Sequence, residues 1–309
     1  MSTGMRVIKS GIHATLQDQG RYGFQHLGVT PGGPADAVSA NWANRLLDNG
    51  PECAVIEITA GGTELESHTH SMVAVTGGDL NLTVNGQPKA PWRSFWVKPG
   101  DVLKFGYPRY GFRAYVAVAG GFQVPNVLGS CATVARNKLG GLTGDGCHLQ
   151  PNDFIPCAAS SQERVPRQMP DKYVPDLHSE LTLYVIPGYQ QHEFSAEAWH
   201  TFWTNEYEIT TESDSMGARL HGPAIAPPSG NLLSEPVCYG AIQVPGDGQP
   251  IILLQQRQTL GGYPKLGSIL PLSGYNLAQR PPGSKVRFQP MGLATAQQQM
   301  RRYLRFFGL

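Results

Sequence analysis

The sequence predicts a mainly β protein with a few short helices, organised as two domains. Three observations carry this. The 309 residues include 37 glycines and 25 prolines, about one residue in five, where roughly 12% is usual. Charged residues make up only 15%, against a usual ~25%. The apolar residues fall in short runs that end at Gly or Pro, as strands between turns do. A helical bundle would be poor in such breakers, and a disordered chain would lack the 40% hydrophobic content. Collagen is excluded because the glycines have no three-residue period.

The elements follow in chain order. Residues 36–47 place Ala37, Ala40, Trp42, Ala43, Leu46 and Leu47 on one apolar side, with Asp36 as N-cap and Asn49-Gly50 as stop, and predict a helix. Met72–Thr76 reads as a strand running into Gly77-Gly78-Asp79. Leu80–Val84 alternates and meets Asn85-Gly86, a strong hairpin turn. Tyr115–Ala119 runs into Gly120-Gly121, and Leu181–Ile186 into Pro187-Gly188. A second helix is predicted over 196–203 behind Ser195, and Ile251–Leu254 is a further strand. The last helix, 293–307, puts Leu293, Gln297, Met300, Leu304 and Phe307 on one stripe. A Pro-led turn feeding an alternating strand recurs at Pro99–Phe105, Pro151–Ile155 and Pro282–Phe288, which is compatible with two related β-domains. The Pro-rich, polar stretch from Ala158 to Ser179 reads as a linker between residues 1–160 and 178–309.

The formal net charge is +1, and basic residues are neither in excess nor in runs, so neither nucleic acid nor a membrane surface is expected as a partner. Arg301, Arg302 and Arg305 read as a solvated helix face. No signal peptide or membrane-spanning run is seen, and a cytoplasmic location is expected. The five cysteines lack CxxC spacing, so neither a disulfide framework nor a zinc site is expected. His68 and His70 share a strand face, but no third ligand type completes a metal set. There is no P-loop, no GxSxG elbow, and no Ala-Met-Lys-Met setting for biotin attachment.

Three polar, glycine-rich clusters are the candidates for chemistry. The first, Thr15–Gly23 followed by Gly28–Asp36, contains Gln17, Asp18 and Arg21. Glycines let backbone N–H groups approach a ligand, and Arg forks onto a carboxylate or phosphate. The same Asp18 and Arg21 would also suit a structural ion pair across a tight turn, and composition leaves both readings open. The second, Ser213–Leu220, again sets an acid, Asp214, a few residues from an Arg, Arg219. The third runs from Gly240 to Pro264 and contains Gln243, Gln249, Arg257, Thr259, Gly261, Gly262 and Tyr263. A buried strand here would carry Arg257 and Thr259 to a barrel rim, with the Gly-Gly-Tyr turn shaping a pocket. Polar turns without a ligand would show the same pattern.

Taken together, the three clusters resemble the biotin-dependent carboxyltransferase family, also called allophanate hydrolase subunit 2, whose bacterial members include the C subunit of 5-oxoprolinase. The resemblance is carried by Thr15–Gly23, Gly28-Val29, Asp36, Ala43-Asn44, Asn49, Glu57, Ala119-Gly120-Gly121, Leu128-Gly129-Ser130 and Gly140-Gly141-Leu142. It resumes at Ser213-Asp214, Met216-Gly217, Arg219-Leu220 and Gly222, and is strongest over Gly240–Pro264. The chain departs from the family pattern at Thr30, Ser215, Ala218 and Gln256, inside the candidate site.

The resemblance implies two cyclophilin-like β-barrel domains. It implies a protein inactive alone that pairs with a B subunit, an allophanate hydrolase subunit 1-like chain, as a heterodimer or heterotetramer. With the A and B subunits it implies ATP-dependent opening of 5-oxoproline, a lactam, to glutamate, with ATP and Mg used at the level of the complex. Alternatives within the resemblance are a carboxyltransferase component of a biotin-dependent urea or amide carboxylase, with biotin on another chain, and a non-enzymatic antagonist of a kinase inhibitor. On the first reading Arg21, Arg219 and Arg257 are expected to bind anionic groups. Asp18 and Asp214 would orient them or a metal, though no metal site is expected on this chain. Gln17, Gln243, Gln249 and Thr259 would supply hydrogen bonds, and Gly261, Gly262 and Tyr263 a pocket wall.

Overall fold

The computed structural model describes residues 3–159, 164–228 and 232–309. The chain divides into two compact units, one of Met1–Arg21 with Gly32–His178, the other of Tyr22–Pro31 with Ser179–Leu309.

The first unit contains β1 (Gly4–Ser10), β2 (His13–Gln17), α1 (Ala37–Arg45), β3 (Val55–Thr59), β4 (Thr63–Ser67), β5 (Ser71–Asp79), β6 (Thr83–Val84) and β7 (Gln87–Pro88). It continues through β8 (Arg93–Val97), β9 (Val102–Lys104), β10 (Tyr110–Val118) and β11 (Phe154–Pro156). These form a six-stranded sheet in the order β11-β1-β4-β9-β6-β7 and a five-stranded sheet in the order β2-β3-β10-β5-β8. β4 has alternate residues fully buried, as a strand with one solvated face should. β5 is buried at nearly every residue because its sheet is covered on both faces. Val73 and Val75 join the core that contains Met5, Leu65 and Leu103 of the other sheet. Met72 and Ala74 instead meet Ala40, Ala43 and Leu47 beside α1. The unit is thus three layers, with the five-stranded sheet in the middle.

The expected barrel is therefore not closed in this unit; its strands form two open sheets. The predicted strand at Leu80–Val84 shrinks to Thr83–Val84, because Asn81 takes a left-handed φ of 51° and breaks the extension. Asn85 and Gly86 do make the hairpin turn, with φ of 51° and 80°. The Pro-led turns feed β9 and β11 as expected. The described part of the predicted linker packs on this unit: the Arg167 carbonyl accepts from Ser94 N–H at 2.8 Å, and Met169 and Leu177 are buried. Residues 160–163 of that stretch lie outside the described residues.

The second unit contains β12 (Leu181–Pro187), α2 (Ala196–Thr204), β13 (Tyr207–Ile209), β14 (Gly217–His221), β15 (Glu235–Pro236), β16 (Ala241–Gln243) and β17 (Ile251–Leu253). It ends with β18 (Leu260–Gly261), β19 (Lys265–Ile269), α3 (Pro271–Leu277), β20 (Lys285–Pro290) and α4 (Leu293–Phe307). Seven strands close a barrel in the order β12-β19-β16-β17-β14-β13-β20, and the parallel pair β12–β20 makes the closure. Leu183, Val185, Phe202, Ile242, Ile252, Leu266 and Phe288 fill its core. β15 and β18 form a separate two-stranded ribbon.

Asp36 and Ser195 cap α1 and α2 as predicted, accepting from Ser39 N–H and Ala198 N–H at 3.1 Å each. α3 lies outside the three predicted helices; Pro271 at its first turn is the signal available for it. α4 is present, and Met300, Leu304 and Phe307 of its predicted stripe are partly or fully buried together with Ala296 and Tyr303, whereas Leu293 is 61% exposed and Gln297 is also exposed. The stripe is thus covered over its C-terminal part and left in solvent at its first turns.

Candidate functional site

The first cluster lies in the first unit, at the end of β2. Gln17 is buried; its amide N–H donates to Thr15 Oγ1 at 3.1 Å and to the Thr133 carbonyl at 3.3 Å. The Asp18 carboxylate accepts from Ser130 Oγ at 2.5 Å, from Cys131 N–H at 2.7 Å and from Gly20 N–H at 2.9 Å. Arg21 is 1% exposed. Its guanidinium donates to the carbonyls of Val127 (3.3 Å), Ser130 (3.2 Å) and Ala132 (2.6 Å). Burial holds its pKa below the ordinary arginine value. Asp18 and Arg21 therefore do not pair across the turn. Each binds the segment 127–132, and the Arg21 donors that the family reading gives to an anion are mostly spent on carbonyls.

The second and third clusters lie in the second unit and meet at the barrel. Asp214 closes the turn before β14, accepting from Met216 N–H at 2.7 Å and Gly217 N–H at 3.1 Å. The strand then carries Arg219 out to solvent, while Ala218 and Leu220 point inward. The Ser213 hydroxyl fixes the Arg219 backbone, accepting its N–H at 2.9 Å. Gln249 forms a two-point pair with the Gly222 backbone, at 2.9 and 3.1 Å. Arg219, Gln249 and Tyr263 line one cavity of about 490 Å³, together with His221, Glu212 and Asp247. Tyr263 is half exposed and forms its wall.

The other predicted residues of the third cluster are held apart from this cavity's lining. Arg257 donates to the carbonyls of Leu254 (3.2 Å) and Val237 (3.4 Å), and its own carbonyl accepts from Thr30 Oγ1 at 3.0 Å. Burial lowers its pKa from the ordinary value. Thr30, a departure from the family pattern, thus anchors the 22–31 segment to the Arg257 turn. The Thr259 carbonyl accepts from Val237 N–H at 3.1 Å. Gln243 is buried, and its amide oxygen accepts from Gln258 Nε2 at 3.4 Å. A side chain on Gly261 would collide with the Gln243 amide nitrogen, which accounts for glycine there. Gly262 sits against Ser234.

Sequence reasoning missed a second cluster on the same barrel. Lys265 Nζ pairs with the Glu235 carboxylate, and Tyr189 Oη donates to that carboxylate at 2.5 Å. They line a largely apolar cavity of about 250 Å³ with Pro187, Val237 and Cys238. Burial lowers the Lys265 pKa. Residues 189, 235 and 265 are far apart in sequence and share no motif, so only the Lys265 position, two residues past the Gly-Gly-Tyr turn, pointed toward them. His68 bonds Glu66 at 3.0 Å and His70 stacks on Trp96, so both are occupied in the first unit. Among the described residues no group of three or more His, Cys, Asp or Glu is placed to hold a metal ion. All five cysteines are free thiols.

The Arg219 cavity suits a small polar solute: one exposed guanidinium, a tyrosine wall and two carboxylates in its lining. Those carboxylates, Glu212 and Asp247, do not fit a triphosphate, which would meet them with like charge.

Residues 27–290 match the carboxyltransferase domain family, subdomains A and B. The chain belongs to that family. It is 33% identical to the C subunit of 5-oxoprolinase from Escherichia coli over 98% of this chain and 96% of that protein. Urea amidolyase of Saccharomyces cerevisiae is 29% identical over 94% of this chain, which spans 17% of that protein. The crystal structure of Kluyveromyces lactis urea amidolyase matches with a TM-score of 0.90 and 28% identity, over 99% of this chain and 20% of that one.

Proposed function

We propose that this chain is the C subunit of an ATP-dependent 5-oxoprolinase that opens 5-oxoproline to glutamate together with the A and B subunits. One observation carries the reading: the match to the Escherichia coli C subunit runs over nearly the whole of both proteins. Contact with a B subunit, the heterotetramer and a cytoplasmic location belong to the same proposal. Among the described residues no helix is long and apolar enough to cross a membrane. The closed barrel of the second unit we read as cyclophilin-like, on the family resemblance.

A lactam carbonyl is resonance-stabilised, so its opening needs charge to be drawn onto the carbonyl oxygen. The part assigned to this chain is to bind and orient. Arg219 is solvent-exposed on a rigid barrel strand and offers a planar fork to the substrate carboxylate. Tyr263 supplies a face for the ring, and the Gln249–Gly222 pair holds the cavity wall in place. Mg-ATP is assigned to the complex, and no step is routed through it on this chain, because the lining of the Arg219 cavity does not suit it. Arg21, Arg257 and Asp214 act by shaping loops, given the backbone groups they bind.

The test is reconstitution with the A and B subunits, following glutamate and phosphate release from ATP and 5-oxoproline. Product formation that needs this chain supports the reading; turnover unchanged by its omission sinks it. A second reading, the carboxyltransferase part of a urea or amide carboxylase, is favoured by the likeness to both urea amidolyases. Avidin separates the two, since only the second requires a biotinyl carrier.

A further inference from the structure

The first unit contains a cavity that neither the family motifs nor the proposed activity uses. It measures about 360 Å³ and is lined by Arg93, Tyr110, His178, Pro91 and Pro175 among others. One wall is the edge of the five-stranded sheet at β8. The other is the segment 168–178, tied to that edge by Met169 N–H donating to the Trp92 carbonyl at 2.9 Å and by the Arg93–Gln168 bridge.

Arg93 is the unusual member. Its guanidinium makes neither a hydrogen bond nor an ion pair among the described residues, and its Nε is buried from solvent without an acceptor. Asp171 supplies the only carboxylate among the described lining residues, and no ion pair joins it to Arg93. The buried Nε–H of Arg93 is therefore a donor with no acceptor, on a side chain whose terminal nitrogens are left free to meet a ligand. Arg257 donates to two backbone carbonyls, and Arg21 does so through Nε and Nη2, although its Nη1 is likewise buried without a partner. The backbone just before Arg93 is also unusual. Trp92 has a left-handed φ of 63°, a conformation that a bulky residue adopts only when its surroundings impose it. Its N–H donates to the Val75 carbonyl at 2.6 Å and its indole Nε1–H to the Gly77 carbonyl at 2.9 Å. Those bonds fix the point from which Arg93 enters the cavity.

The remaining walls mix polar and apolar groups. The rings of Tyr110 and His178 lie 4.8 Å apart, and two prolines complete the surface. A fork of donors beside aromatic and proline faces matches a planar organic anion. We propose that this cavity binds a small planar organic acid, its carboxylate or phosphate on Arg93 and its ring against Tyr110 and His178. The site belongs to the first unit and is independent of the 5-oxoprolinase reading.

The test uses the full chain with benzoate, phenyl phosphate and the neutral benzamide as probes, titrated by calorimetry and by saturation-transfer NMR. Benzoate or phenyl phosphate should bind the wild type at least tenfold more tightly than Arg93→Met, with partial recovery in Arg93→Lys. Benzamide should not distinguish wild type from Arg93→Met. The stronger of the two anionic probes decides between carboxylate and phosphate. Should Arg93→Met fail to fold, phenylglyoxal modification of Arg93 in the wild type, read by peptide mass spectrometry, should be slowed by the bound probe. Binding of neither anion to the wild type, equal binding to a folded Arg93→Met, or unprotected modification would each overturn the proposal.

Discussion

The guanidinium of Arg21 donates to the carbonyl of Ala132 at 2.6 Å, 111 residues away in sequence. The same side chain also reaches Ser130 and Val127, while Asp18, three residues earlier, binds the Ser130 hydroxyl and the Cys131 amide. One short polar loop therefore holds the segment 127–132 from both charge signs, without the two charges pairing. Gly140 packs against this arrangement: a side chain there would meet the Ala132 carbonyl oxygen and Arg21.

Arg21→Met should destabilise the protein by roughly 3 kcal/mol, because buried carbonyls lose a charged donor. Arg21→Lys should recover only part of this, since one ammonium cannot reproduce the fork. Urea denaturation of both variants checks it, and a loss below about 0.5 kcal/mol would contradict the structural role.

A pH-dependent contribution to stability is expected from His13. Burial, with His148 and Arg113 nearby, lowers its pKa to about 4 from 6.5. Its ring lies 4.2 Å from that of His148. Between these two values the unfolded chain protonates this imidazole and the folded chain does not, so stability falls as acid is added. The loss should approach roughly 2 kcal/mol once solvent screening is allowed for. Denaturation midpoints between pH 7 and about 4 should therefore decline less steeply in His13→Gln.

The cap of α1 is a third point of leverage. Asp36 is buried and accepts from Ser39 N–H at 3.1 Å and from Ser39 Oγ at 2.5 Å. Asp36→Ala should cost about 1–2 kcal/mol, and Asp36→Asn clearly less. Thermal melts of the two variants side by side would show whether the order holds.

Function and stability should separate at Arg219. Its side chain is exposed and its backbone bonds survive truncation, so Arg219→Ala should alter stability by under about 0.5 kcal/mol. In the reconstituted complex the same change should lower kcat/KM for 5-oxoproline by about tenfold or more, as the loss of a charged contact would. Unaltered turnover in a folded variant would remove the Arg219 cavity from the substrate site.

Much of the molecule was legible in its sequence. Gly and Pro punctuation marked the strands, Asp36 and Ser195 marked helix starts, and Asn85-Gly86 marked a hairpin, because each depends on local backbone preferences. The family was legible too, since the motifs at Thr15–Gly23 and Gly240–Pro264 are long. What tertiary structure decided was which polar residues face a cavity and which bind backbone. Arg21, Arg219 and Arg257 look alike in sequence, each beside a glycine-rich turn. Only Arg219 stands free on a strand face; the other two are bound to carbonyls, one of them brought there from more than a hundred residues away. Apart from the position of Lys265, the Lys265–Glu235–Tyr189 cluster and the Arg93 cavity were not legible either, because closing a barrel and folding residues 168–178 over a sheet edge create them from residues with no common spacing. Local preference sets elements, but burial and long-range pairing determine which charges are left to meet a ligand.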